Sequence, residues 1–199
     1  GAETYGEYAS SKSLSVLIGT AIVMSLALVV TKFLAQKNES SKLMFQNAYS
    51  LILRNLMLSF IILIPLTLFL KRDLPMTILF LIGFVFNEMI HVALAYYQAK
   101  GDFVTSSKQI MLRTIIYGLG AWILVTQGFS ILSLIMFQVI TLVSFFAVAH
   151  FSIPKNDIDL NSNKSVKNNL QASGKKMVLT TFSSALISEL DIVLLGLFY

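Results

Sequence analysis

Runs of apolar residues long enough to cross a bilayer dominate this chain and constrain its fold more than any other feature. Six stand out: Lys12–Ala35, Leu43–Leu70, Pro75–Gln98, Ser106–Thr126, Phe129–Ile153 and Lys175–Phe198. Each is about 20 residues or more, and at ~1.5 Å rise per residue a helix of that length covers the ~30 Å hydrocarbon core. Lipid offers backbone groups no hydrogen bonds, so such runs must be helical. A strand barrel would instead show alternating segments of about ten residues. Composition agrees: 13% of residues are charged, about half the usual share of a soluble domain. The expected fold class is an all-α membrane protein with six transmembrane helices.

Polar punctuation separates the runs. Residues 36–42 form a turn rich in Lys, Asn and Ser. Lys71, Arg72 and Asp73 close the second run, and Pro75 suits the first turn of the third. Lys100, Gly101 and Asp102 part the third from the fourth, and Thr126, Gln127 and Gly128 make a tight uncharged link. Residues 154–174 read as one long polar linker. Pro65, inside the second run, removes a backbone donor and is expected to kink its helix. Gly19, Ala21 and Ser25 in the first run, and Gly118, Gly120 and Ala121 in the fourth, are expected to permit close helix approach.

The basic residues give an orientation. Turns one, three and five with their flanks hold eleven of the fifteen Lys and Arg residues, whereas the amino-terminal flank and turns two and four hold three. The richer side is expected in the cytoplasm. Loops 36–42, 99–105 and 154–174 are therefore expected inside, and residues 1–11 outside. The chain begins without Met and stops inside an apolar run, so it reads as a fragment preceded by a further span. Cysteine is absent, which excludes disulfides and thiolate chemistry. The net charge of +5 sits in short turns between spans, a membrane pattern, so no nucleic-acid partner is expected. No nucleophile elbow or phosphate loop is present, and no enzymatic activity is expected.

Ionisable residues at membrane depth are costly and mark candidate sites. Glu88 and His91 lie near the middle of the third run, about 60° apart around a helix, with Asn87 beside them. They read either as a proton- or cation-sensitive pair facing a cavity or as a structural contact. No second Glu-x-x-His copy exists, since Ala147 stands three residues before His150, so a di-metal centre is not expected. Glu189 and Asp191 are about 200° apart, so only one can line a given cavity. Arg54 and Arg113 lie inside the second and fourth runs. A guanidinium fork there suits phosphate, or the side chain snorkels to the interface. Snorkelling also suits Lys32. Tyr96, Tyr97, Gln98 and Trp122 read as interfacial anchors or as sugar contacts.

Three stretches carry a resemblance. Gly1-Ala2-Glu3-Thr4-Tyr5-Gly6-Glu7-Tyr8-Ala9 leads into a helix ending Thr31-Lys32-Phe33-Leu34-Ala35. Ala95-Tyr96-Tyr97-Gln98-Ala99-Lys100-Gly101-Asp102-Phe103 closes the third run, and Ser188-Glu189-Leu190-Asp191 precedes Leu195-Gly196-Leu197-Phe198. In order and spacing the chain resembles helices two to seven of the polysaccharide (O-antigen and capsule) flippases of the multidrug/oligosaccharidyl-lipid/polysaccharide exporter superfamily. The resemblance implies a MATE-like lobe: residues 1–153 as first-lobe helices, 154–174 as a cytoplasmic inter-lobe linker and 175–199 as the first helix of a second lobe. It implies alternating access in a bacterial inner membrane, with a polyprenyl-pyrophosphate-linked oligosaccharide as substrate. A polysaccharide polymerase and assembly proteins would be partners. It implies no cofactor, coupling to H+ or Na+, and Asp191 as the coupling-ion residue ahead of Glu189. A drug/cation antiporter of the same superfamily and an intramembrane transferase using Glu88 and His91 remain open.

Overall fold

A computed structural model describes the backbone of residues 2–23, 25–36, 41–153 and 163–198. Among these residues there are seven α-helices and no strand: α1 (Ala2–Val23), α2 (Leu26–Ala35), α3 (Ser41–Phe69), α4 (Leu74–Ala99), α5 (Phe103–Thr126), α6 (Ile131–Phe151) and α7 (Asn163–Phe198). Five segments among the described residues are long and apolar enough to cross a membrane: Tyr5–Ala35, Met44–Phe69, Leu74–Ala99, Phe103–Thr126 and Ile131–Phe151. They correspond to the first five expected runs. The sixth, Lys175–Phe198, is helical within α7, and the side chains of residues 194–198 lie outside the described set.

Local chemistry sets the helix ends. The Asp73 side chain accepts the Met76 N–H at 2.7 Å, with Pro75 in the first turn of α4. Ser130 caps α6 through the Ser133 N–H. Asp102 caps α5, accepting the Thr105 N–H at 3.0 Å. Hydrogen bonds from Thr105, side chain first and backbone second, hold the Asp102 carboxyl below the usual carboxylate range. Lys71 and Gly101 take positive φ in the turns before α4 and α5.

Three boundaries differ from expectation. The polar opening, read as an external segment, is helical from Ala2. Its serines are interface residues: Ser11, Ser13 and Ser15 are buried, and the Ser15 hydroxyl lies 2.8 Å from both the Ser11 and the Thr77 carbonyl oxygens. Tyr8 sits edge-on to Phe80 at 5.1 Å. Small polar residues permit close helix contacts and pass for loop composition. The stretch 163–174, read as linker, belongs to α7. Leu170 and Gly174 are buried there and Met177 half-buried, a spacing of four and three that puts one narrow stripe against the bundle. The rest of the linker, residues 154–162, lies outside the described residues.

The third difference is a break in the first run. Ser25 adopts left-handed geometry (φ 51°) between α1 and α2, which is uncommon for a non-glycine residue. A broken helix in lipid needs its freed polar groups satisfied by neighbours. Asn55 of α3 donates to the Ile22 carbonyl at 3.0 Å, and the Ser25 hydroxyl meets that of Thr181 on α7 at 3.0 Å.

Packing is dense around α4, which touches α1, α2, α3, α5 and α6. The main core joins Leu26, Val29 and Val30 with Leu51, Ile52, Leu81, Val85, Val92 and Leu170. Outward, α5 presents Met111, Leu112, Ile115, Leu119, Trp122 and Ile123 to its surroundings. So large a continuous apolar surface fits hydrocarbon and not water. Gly19 and Gly120 behave as expected: an added Cβ would run into the Phe84 ring at the first and the Phe137 ring at the second. Gly118 does not, because nothing lies within 4 Å of its Cβ direction.

Some helix ends pack together. Phe33 and Leu34 at the end of α2, Tyr97 at the end of α4 and Ile153 beyond α6 pack on one apolar cluster. The Tyr97 hydroxyl donates to the Ser152 carbonyl at 2.9 Å. The ends of α4 and α6 therefore meet.

Candidate functional site

The structure brings two of the intramembrane charges together. Asn87 and Glu88 sit midway along α4, and Arg113 sits ten residues into α5. Arg113 Nη1 donates to Asn87 Oδ1 at 2.8 Å, and Asn87 Nδ2 approaches Glu88 Oε1 at 3.4 Å. The primary amide thus presents its oxygen to the cation and its nitrogen to the anion. That lets Arg113 and Glu88 attract one another across a neutral bridge. An ion pair in low dielectric is tolerable only when its remaining groups are also hydrogen-bonded, and the amide helps to meet that need.

His91 lies one turn further along α4, half-buried and within electrostatic reach of Arg113. Glu88 is bonded to Asn87 and not to His91, so the pair foreseen from the sequence is a Glu88–Asn87–Arg113 chain with His91 alongside. No group of three or more His, Asp or Glu side chains able to hold a metal occurs among the described residues. His150 packs among rings instead, 5.6 Å from Tyr49 and 5.9 Å from Phe146.

Asn87 and Arg113 face a cavity of about 300 Å³ between α1, α4, α5 and α6. Its polar wall comprises Lys12, Asn87, Arg113, Thr114, Tyr117, Gln138 and Thr141, and its apolar wall includes Val16, Phe80 and Phe84. Two cations and several neutral donors line it, and among the described residues no carboxylate does. Glu88 stands behind Asn87, outside the lining. Such a wall offers an anion charge-assisted hydrogen bonds and offers sugar hydroxyls both donors and acceptors.

The other candidates lie elsewhere. Arg54 is exposed on α3, with Nη2 3.3 Å from Asn55 Oδ1, and α3 contributes nothing to this cavity. On α7, Glu189 is half-buried and Asp191 exposed, as their angular separation requires, and neither lines the cavity. Tyr96 and Tyr97 serve structure: the Lys100 ammonium donates to the Tyr96 hydroxyl and lies 4.3 Å from the centre of its ring, while Tyr97 ties α4 to Ser152. Gln98 donates to the Ser106 hydroxyl at 3.3 Å. Trp122 is 66% exposed.

Lys12, Thr114, Tyr117, Gln138 and Thr141 escaped the sequence reading. Their signal is helical spacing: Gln138 and Thr141 are three apart in an otherwise apolar stretch, and Arg113 and Tyr117 are four apart. Each pair shares a face.

Comparison with known proteins adds the family. No curated protein and no solved structure gives a significant match to the chain. A family described as "Polysaccharide biosynthesis protein" matches residues 3–199. That match covers nearly the whole chain, and the chain belongs to this polysaccharide biosynthesis protein family.

Proposed function

We propose that this chain forms part of a transporter that moves a polyprenyl-pyrophosphate-linked oligosaccharide across a bacterial cytoplasmic membrane by alternating access, for surface polysaccharide assembly. The observation that carries the reading is the cavity walled by Lys12, Arg113 and neutral hydrogen-bonding side chains within a polysaccharide biosynthesis family. The physical task is to carry a pyrophosphate and its sugars through hydrocarbon. Leaving those groups unsolvated is prohibitive, so a polar wall must stand in for water while the isoprenoid tail stays in lipid. Arg113, held by Asn87, would meet phosphate oxygen; Thr114, Tyr117, Gln138 and Thr141 would meet hydroxyls. Glu88 and His91, close to Arg113, are the candidates for coupling to H+ or Na+.

A cation/drug antiporter fits less well, since a cationic ligand needs acidic lining and this cavity has basic lining. A transferase using Glu88 and His91 would need both free to act on substrate, and Glu88 is engaged with Asn87.

Lys12 separates these readings. In proteoliposomes of the full transporter, Lys12→Gln is expected to slow movement of a fluorescent polyprenyl-pyrophosphate saccharide by about tenfold, the scale of one charge-assisted hydrogen bond. Efflux of a cationic dye should stay at background in both proteins. Saccharide movement unchanged by Lys12→Gln, or dye efflux above background, would overturn the proposal.

A further inference from the structure

One carboxylate backs the cavity without reaching it. Lys12, Asn87 and Arg113 line the cavity. Glu88 follows Asn87 on α4, about 100° further around the helix, and stands outside the lining. Asn87 joins it to the cavity: the amide oxygen accepts from Arg113 Nη1 at 2.8 Å, and the amide nitrogen lies 3.4 Å from Glu88 Oε1. These two contacts and the ~2.3 Å width of a primary amide put the guanidinium and the carboxylate within about 9 Å of each other.

The amide is a neutral spacer. A carboxylate at position 87 would pair with Arg113 directly and turn its charge into the cavity. With asparagine there, the guanidinium gives one N–H to the protein and keeps others for a ligand.

Glu88 nonetheless acts on whatever Arg113 holds. Coulomb interaction falls only as the inverse of distance, and salt screens partly buried charges poorly. An anion seated on the guanidinium lies at most about 3 Å further from Glu88 than the guanidinium does. At about 12 Å, and at an effective dielectric constant of about 20, a unit charge changes an affinity by about tenfold. Glu88 also attracts the same guanidinium that the anion would use.

A carrier needs such a restraint, because its site must bind well enough to load and weakly enough to empty. Lys12 and Arg113, with neutral donors around them, would grip a pyrophosphate group firmly through charge-assisted hydrogen bonds. A carboxylate in the wall would block Arg113 outright. One placed behind a neutral amide loosens the grip and leaves the wall as it is.

We infer that Glu88 is a built-in counter-charge: from behind Asn87 it offsets Arg113 and limits how tightly the cavity holds an anionic head group. The inference rests on the reading that this cavity receives a pyrophosphate. It gives Glu88 the opposite sign to Arg113. A carboxylate that merely held Arg113 in place would have the same sign, since its loss would misplace the guanidinium and weaken binding.

The test is surface plasmon resonance of the full-length protein in nanodiscs, with farnesyl pyrophosphate as the probe and uncharged farnesyl glucoside as the comparator. Thermal unfolding establishes that each variant is folded. Glu88→Gln is expected to bind farnesyl pyrophosphate about tenfold more tightly and to release it several-fold more slowly, with affinity for the glucoside unchanged. Arg113→Gln and Asn87→Asp are each expected to bind the pyrophosphate about tenfold more weakly. Pyrophosphate affinity or dissociation unchanged in Glu88→Gln, or affinity weakened, alongside the expected loss in Arg113→Gln, would overturn the counter-charge and leave the cavity reading standing. Equal tightening of both probes would mean a reshaped cavity instead of a removed charge, and would overturn it too. Unchanged affinity in Arg113→Gln would overturn the cavity reading itself. Should Glu88→Gln fail to fold, Asn87→Asp decides, because undiminished binding there would show that a carboxylate beside Arg113 does not oppose the anion.

Discussion

Cells whose copy of this protein carries Arg113→Gln should lose most of their surface polysaccharide while keeping the protein in the membrane. Glutamine keeps a donor for Asn87 Oδ1, so the hydrogen bond to Asn87 can persist, but the positive charge is gone. One hydrogen bond to a charged group contributes about 1.5–3 kcal/mol, which corresponds to roughly ten- to a hundredfold in affinity for an anionic head group. Removing the cation also leaves Glu88 without its electrostatic partner at membrane depth, so some loss of stability is expected too. Two companions separate these effects. Arg113→Lys restores charge and should recover part of the polysaccharide, since lysine acts as a point charge without the fork. Arg113→Gln combined with Glu88→Gln relieves the orphaned carboxylate and should recover stability without recovering transport. Polysaccharide staining alongside a membrane immunoblot reads both. Normal staining in Arg113→Gln would remove Arg113 from substrate handling.

The second large effect is expected at Gly19. A Cβ there would run into Phe84 Cδ1 and stand 2.9 Å from Phe84 Cγ, closer than any real contact. Phe84 lines the cavity, so Gly19→Ala must either push α1 off α4 or turn the Phe84 ring. Overpacking of this kind typically costs about 1–3 kcal/mol, and a turned ring would also reshape the site. Phe84→Ala makes room. The double variant Gly19→Ala/Phe84→Ala should therefore be less impaired than the sum of the singles, with a coupling of about 1 kcal/mol or more in a double-mutant cycle. Thermal unfolding in detergent measures it. Additive singles would mean that α1 and α4 do not meet at this point.

The spans were legible because lipid demands length and apolarity together. Leu74–Ala99 and Phe103–Thr126 fall within three residues of their expected bounds because Asp73 and Asp102 cap them. What the sequence concealed came from polar residues used inside the bundle. Ser11, Ser13 and Ser15 read as loop, yet they are packed; Leu170, Gly174 and Met177 hid a helical stripe inside an Asn- and Lys-rich stretch. The break at Ser25 gave no local sign, because its satisfying groups, Asn55 and Thr181, are remote in the chain.

The site was half legible for the same reason. Glu88, His91 and Arg113 were conspicuous as charges in apolar runs, and the sequence could place Glu88 and His91 on one face. It could not reveal that Asn87 links Glu88 to Arg113, because the partner is 26 residues away. Nor could it show that Lys12, counted with the amino-terminal flank, lines the same cavity as Arg113. Arg54 looked equivalent to Arg113 in sequence; the fold leaves it exposed on α3, away from this cavity.

The central claim is that the α1/α4/α5/α6 cavity is a water-accessible compartment that receives the saccharide head group. The chain has no cysteine, so single cysteines report cleanly on accessibility. The decisive measurement places one cysteine at Thr114 or Gln138 in the cavity wall and one at Leu119 on the exposed apolar face of α5. Each variant is then labelled with a membrane-impermeant thiol reagent, with and without lipid-linked oligosaccharide. The account predicts labelling at Thr114→Cys and Gln138→Cys, protection of both by the oligosaccharide, and no labelling at Leu119→Cys. Cavity cysteines that resist the reagent, or that label equally with the oligosaccharide present, would contradict it.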